Sequence, residues 1–270
     1  GPCHVNFPFR EPLVGVAGAL RAVDAHSPVR VSADVATASE RKKLSLALRA
    51  KHGVIIAGNG IDQPRFIFEL AAKLNWPVLA DPRSNCRVPS ESSHGATVVS
   101  CADVVLRHNP TAEVLKPDVV IRVGDPPVSK VVNQWLAQCG AEQVAITPQP
   151  SLIDPDKVVT THIVGSINEL FMEMSRGVEA KSETEWIIGW MRCERIARAA
   201  LDEKFARQQH LTEPLCAVTV SDALVAGSNL VVSSSMPVRD LEWFAPARDR
   251  VRVFSNRGVN GIDGVVSTAV

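Results

Sequence analysis

The sequence predicts an α/β fold, with a parallel-sheet central domain followed by the start of a second α/β unit. Three observations lead there. Short β-branched runs alternate with segments of helical spacing, the pattern of strands joined by crossover helices in a parallel sheet. A long polar helical stretch from Ser182 to Gln209 interrupts the alternation. After it the strand and helix pattern restarts and stops at two strands and a helix, too few to close a core of their own.

Taken in order, the runs Val54 to Ala57, Pro77 to Ala80, Val119 to Val123, Val144 to Thr147 and His162 to Val164 end in turn residues and read as buried strands. Between them, Arg65 to Leu74 places Phe66, Leu70 and Leu74 at i, i+4 and i+8, and Val128 to Gln138 also has helical spacing. Trp186 and Trp190 stand four apart in the stretch 182–209, which fits either a linker helix or an amphipathic helix packed on one domain. Beyond it come a helix from about Glu213 to Ala226 and strands Leu230 to Ser233 and Arg252 to Phe254. The expected limits are 1–28 for a leading tail and linker, 29–180 for the central domain, 181–210 for the linker helix and 211–270 for the second unit.

The 270 residues suit one and a half to two domains; 46% apolar and 21% charged residues give enough core and too little charge for a disordered tail. Formal net charge is zero and no basic stripe is interleaved with aromatics, which argues against nucleic acid and anionic membranes as partners. Apolar runs fall far short of the roughly 20 residues that span a bilayer. Residues Gly1 to Arg10 lack the basic start and apolar run of a signal peptide, and they lack an initiator Met. The chain stops at Val270 in apolar sequence, so both ends read as cut. Cys3, Cys86, Cys101, Cys139, Cys193 and Cys216 include no C-x-x-C pair, which favours buried thiols in a reducing compartment over a zinc site.

Ligands gather at the carboxyl ends of parallel strands, so the segments following the strands carry the candidate chemistry. Gly58-Asn59-Gly60 lies between a strand and a helix, yet Gln63 stands where a dinucleotide loop has its third glycine, and a plain turn is the better account. In Ser233-Ser234-Ser235-Met236-Pro237-Val238-Arg239-Asp240, Ser235 fits an N-cap and Pro237 a first turn. Arg239, one turn on, either grips a carboxylate or phosphate beside the free amides or pairs with Asp240 or Glu242; spacing does not choose. Asn256 to Gly264 contains three glycines after a strand, with Arg257 at that strand's carboxyl end, and reads equally as a turn or a site. Two arginines set alike on two strands suit a substrate with more than one carboxylate.

Four stretches together resemble the SEPHCHC synthase family of thiamine-diphosphate enzymes. They are Gly1 to Leu13, Trp76 to Asp81, Ser235 to Asp240 and Ser255 to Gly264. The resemblance covers the whole chain and implies a piece of a three-domain enzyme: the tail of a pyrimidine-binding domain, the whole central domain and the opening of a diphosphate-binding domain. It implies decarboxylation of 2-oxoglutarate and addition of the succinyl semialdehyde unit to isochorismate, in menaquinone or phylloquinone biosynthesis. Ser235, Arg239 and Arg257 are implied to contact substrate carboxylates, Ile262 to support the bent cofactor, and Lys130 to reach toward the active site from the central domain. Thiamine diphosphate and Mg²⁺ are the implied cofactors, and a homodimer or homotetramer in the cytoplasm, or in a plastid for a photosynthetic eukaryote, is the implied setting.

Ser233-Ser234 departs from the Gly-Asn or Gly-Ala that the family more often shows before the serine. The family's catalytic glutamate is expected upstream of Gly1 and its Mg²⁺ and diphosphate motif beyond Val270, so no catalytic or metal residue is assigned within the chain, which alone is expected to be inactive. Two alternatives stand beside this reading. The central domain could be a regulatory binding module using Gly58-Asn59-Gly60, Arg83 and Arg87, or the chain could come from another thiamine enzyme such as an acetolactate synthase or a 2-oxo acid decarboxylase.

Overall fold

A computed structural model of the chain describes residues 36–151, 154–256 and 264–270. Six strands form one sheet: β1 (Gly53–Ala57), β2 (Val78–Ala80), β3 (Val98–Val99), β4 (Val119–Val123), β5 (Glu142–Thr147) and β6 (Thr161–Val164). Their order is β3-β2-β1-β4-β5-β6, and every neighbouring pair is parallel. β1 and β4 are buried along their whole length, so both read as apolar runs rather than alternating ones, β4 broken only by Arg122, which is itself buried.

Successive side chains of a strand point to opposite faces, and the two faces of this sheet have separate cores. Ile55, Ile121 and Val144 join a cluster with α1 (Ala38–Ala47), α2 (Pro64–Leu74) and α6 (Ile167–Gly177). Val54, Ile56 and Val120 join a second cluster with α3 (Ala102–Leu106), α4 (Asn109–Val114), α5 (Lys130–Gln138) and the long α7 (Glu185–Ala206). Each fully buried side chain of this kind is worth about 1.5–3 kcal/mol, so the doubly covered sheet is the stable body of the molecule.

The first half of α7 belongs to that body. Trp186, Ile187 and Trp190 are buried, and the Trp190 ring meets those of Trp135 and Trp186 edge-on at 6.1 Å. Glu194 adds a polar tie by accepting from the Ser100 and Cys101 amides at 3.0 and 2.9 Å, just before α3.

After α7 come α8 (Glu213–Ala223), β7 (Asn229–Val231), α9 (Met236–Phe244), β8 (Arg252–Phe254) and α10 (Val265–Ala269). β7 and β8 pair in parallel as a separate two-stranded sheet. The expected strands Leu230 to Ser233 and Arg252 to Phe254 are thus present, the first shifted toward Asn229 and the second unchanged. A small cluster of Val232, Val238, Leu241 and Ala245 supports this part, and Val128, from the segment between β4 and α5, completes it.

Candidate functional site

The strand order reverses between β1 and β4, and open α/β sheets ordinarily hold ligands in the crevice outside such a switch point. Here the turns after β1 and β4 bond directly to each other. The Asp125 amide donates to Asn59 O at 2.9 Å, and Asn59 Nδ2 donates to Asp125 Oδ2 at 3.0 Å. A Cβ on Gly58 would lie 1.7 Å from Asp125 O, and one on Gly124 would lie 2.1 Å from Asn59 O. These glycines let two turns cross, so Gly58-Asn59-Gly60 is a structural turn, as the missing third glycine predicted.

The cations proposed for a regulatory ligand are already engaged. Arg83 is buried and donates through Nε and Nη2 to Asp81 at 3.0 and 3.3 Å and through Nη2 to Pro126 O at 3.1 Å. Arg87 is buried against Glu242 at 3.0 Å. Burial pushes the Glu242 carboxyl well above its ordinary range, and Arg87 opposes that rise. The Arg87 Nε is buried without a hydrogen-bond partner, which costs about 1–3 kcal/mol and makes its remaining bonds the more telling.

The open chemistry lies where β7 and β8 end. Because these strands are parallel neighbours, the segment into α9 and the segment toward Arg257 leave from the same end of the small sheet. The Ser234 and Ser255 hydroxyls lie 3.0 Å apart across the two exits. Ser235 occupies the N-cap position of α9 and Pro237 lies in its first turn. The Ser235 side chain, expected as a cap, makes no capping bond and is exposed; the Val238 amide donates instead to Ser233 O at 3.2 Å, and Pro237 has no N–H to offer.

Arg239 is half-buried and its Nη1 lies 3.9 Å from Met236 Sδ. Among the described residues it forms no ion pair, and the two carboxylates considered for it sit elsewhere: Glu242 binds Arg87, and Asp240 is buried on another face of α9. Lys130 is the first residue of α5 and is exposed. Its place is fixed by its neighbours, since the Val128 amide donates to Asp81 Oδ2 at 2.6 Å and Ser129 Oγ donates to Asp103 Oδ2 at 2.5 Å. Val128 and Val238 belong to one apolar cluster, so the residues two before Lys130 and one before Arg239 are buried together. Arg257 and Ile262 lie outside the described residues.

An apolar cavity of about 310 Å³ opens between α8 and α9, lined by Val220, Leu230, Val232, Met236 and Leu241 together with Glu213 and Asp240. Burial, and then the charge of Glu213, raise the Asp240 carboxyl above its usual value. With acidic groups and no cation along its lining, this cavity does not attract an anionic substrate. Among the described residues no group of three or more His, Cys, Asp or Glu is placed to hold a metal ion. No helix among them is long and apolar enough to cross a membrane.

Asp81 and Asp103 were not singled out from the sequence, although both act behind Lys130. Asp81 closes the Trp76 to Asp81 stretch, and its place at the end of β2 two residues before Arg83 was a usable sign of a local ion pair. Asp103 had no such sign, since its partner Ser129 is 26 residues away.

The chain thus pairs a doubly wound α/β body with the Ser235 and Arg239 segment at the end of a separate two-stranded sheet. The family model described as "Middle domain of thiamine pyrophosphate" matches residues 24–232, and the chain belongs to that family of thiamine-diphosphate enzymes. Among curated proteins, the whole chain is similar to 2-succinyl-5-enolpyruvyl-6-hydroxy-3-cyclohexene-1-carboxylate synthases. It is 36% identical to that of Myxococcus xanthus, 35% to that of Geobacillus kaustophilus and 34% to that of Trichormus variabilis. In each case 100% of this chain and 48% of the relative are covered, so the chain spans about half the length of the curated relatives it matches.

Proposed function

We propose that the full-length protein containing this chain is a SEPHCHC synthase. It takes 2-oxoglutarate, releases CO2 and joins the remaining succinyl semialdehyde unit to isochorismate, on the way to menaquinone or phylloquinone. What carries the reading is similarity along the entire chain to relatives that share this name, including the segments that lead into α9 and away from β8.

Thiamine diphosphate, when bound, supplies the carbon nucleophile and the electron sink. The chain's own residues handle charge. Arg239 offers a forked cation to a carboxylate, with the exposed Ser235 hydroxyl as a further donor. Lys130, presented from the rigid start of α5, adds a point charge from the central domain. Arg257 is proposed as the second carboxylate contact and Ile262 as the support beneath the cofactor ring. Orientation of this kind can supply several kcal/mol of a barrier by fixing the reacting groups in place.

Mg²⁺ and the diphosphate are proposed to be held by residues beyond those described, in a homodimer or homotetramer of the full-length protein in the cytoplasm, or in a plastid in a photosynthetic eukaryote. The proposed division is a tail of the pyrimidine-binding domain over 1–28, a central domain over 29–180, a linker helix over 181–210 and the opening of the diphosphate-binding domain over 211–270. The regulatory-module alternative is not favoured, because Arg83 and Arg87 spend their hydrogen bonds inside the protein.

Titration of thiamine diphosphate with Mg²⁺ into the isolated chain, beside an assay of the full-length protein with 2-oxoglutarate and isochorismate, tests the proposal. The expected result is no binding to the chain and consumption of both substrates by the whole protein. Turnover of 2-oxoglutarate without loss of isochorismate would reject it in favour of another thiamine enzyme.

A further inference from the structure

The last carbonyls of a helix have no partner within it and carry its negative dipole end. In α9 the Glu242, Phe244 and Ala245 carbonyls accept from arginines outside the helix. Arg87 Nη2 donates to Glu242 O at 3.1 Å and to Ala245 O at 2.7 Å, while Arg87 Nη1 donates to Glu242 Oε2 at 3.0 Å. Arg198 of α7 donates through Nη1 to Phe244 O at 2.9 Å. The strap is returned by the backbone, since the Arg248 amide donates to Arg87 O at 3.1 Å. Arg107 stacks its guanidinium over the Trp243 ring at 5.0 Å.

Arg87, Arg107 and Arg198 therefore converge on the C-terminal end of a nine-residue helix that has Ser235 at its N-cap and Arg239 as its fourth residue. Arg87 is the central member: it is buried, it reaches three acceptors, and it follows β2 by only seven residues. α9 also packs on α8 and α3, Phe244 meets the Phe205 ring of α7 edge-on at 5.8 Å, and the body contributes Val128 to the apolar cluster beneath the helix. α8 belongs to the same small unit as α9, so the arginine bonds at the C-terminal end are the polar ties between α9 and the central domain.

We propose that Arg87 is a positioning residue for substrate recognition: by clamping the C-terminal end of α9 to the central domain, it sets the pose in which Arg239 meets a substrate carboxylate. This rests on the proposed function for the identity of the substrates, and on geometry alone for the clamp. A clamp of this design makes the affinity for anionic substrate depend on an ion pair remote from the substrate.

The test uses the full-length protein carrying Arg87→Met, Arg239→Met and both. Backbone amide exchange across residues 236–244 reads the clamp, and KM and kcat for 2-oxoglutarate and isochorismate read its consequence. Arg87→Met is expected to speed exchange in α9 at least tenfold while leaving β1 and β4 unchanged. It should raise one substrate's KM about tenfold with kcat within threefold, and add no further KM change once Arg239 is Met. Arg87→Lys, which keeps a cation opposite Glu242 but loses the fork, should shift both readouts the same way by less, and it serves if the Met variant does not fold. Unchanged α9 exchange overturns the clamp, and KM effects of Arg87→Met and Arg239→Met that simply multiply overturn its action through Arg239. If the full-length protein turns over neither substrate, the proposed function fails instead, and the exchange result still decides the clamp.

Discussion

The six-stranded sheet and the two-stranded sheet are built from similar β-branched runs, but only the first is covered on both faces. β1 and β4 are buried throughout, whereas β7 and β8 are half-buried or exposed at every residue. The large sheet takes its stability from its own helices. The small one carries the candidate grip and borrows rigidity from the body through Arg87, Arg198 and Val128. Stability and recognition thus sit in different parts of the chain, joined by a few long-range contacts.

The contrast is sharpest for equivalent truncations. Ile121→Ala, at a side chain with no exposure in the central strand, should cost about 2–5 kcal/mol in denaturant unfolding, because it leaves a cavity in a packed core. Leu230→Ala in β7, already half-buried beside the open cavity, should cost under about 1.5 kcal/mol. Equal losses would erase the distinction. Gly58→Ala should also destabilise strongly, by about 2 kcal/mol or more, since the new Cβ meets a backbone oxygen that cannot swing aside.

Thiol reactivity separates the regions more gently. Burial raises Cys101 to about 11 and Cys86 further still, so both should resist alkylation at neutral pH, while the exposed Cys216 of α8 should be modified first among the described thiols. Peptide mapping after brief iodoacetamide treatment reads the order. The smallest effect is one of pH. Glu242 titrates higher in the folded chain than its ordinary 4.5, so on raising pH the unfolded chain releases that proton first. Its contribution to stability therefore falls as pH rises from about 4.5 toward the raised folded value. Glu242→Gln should flatten that part of the stability profile, and an unchanged slope would show that Glu242 does not titrate there.

Much of the sheet was legible because strands buried on both faces are rich in β-branched apolar residues, even where one buried charge such as Arg122 stands among them. Val119 to Val123 is observed with the expected limits, and the runs at Val54 and Val144 differ only at their starts. β3 was not legible, since two residues carry no period, and α1 is largely polar and gives almost no apolar stripe. At the candidate site, Ser235 and Pro237 were placed correctly at the start of a helix by local rules alone. The partners of Arg83 and Arg87 divide the same way. Asp81 is two residues from Arg83, within reach of a local argument, whereas Glu242 is 155 residues from Arg87 and only the fold brings them together.

The most direct test of the account is to follow both substrates in the full-length protein, wild type and Arg239→Met, at saturating thiamine diphosphate and Mg²⁺. The account predicts that wild type consumes 2-oxoglutarate and isochorismate in equal amounts and that the variant does so with KM raised tenfold or more for at least one of them, the loss of one charge-assisted carboxylate contact. Wild-type decarboxylation with isochorismate untouched, or a variant with both KM values unchanged, would contradict it.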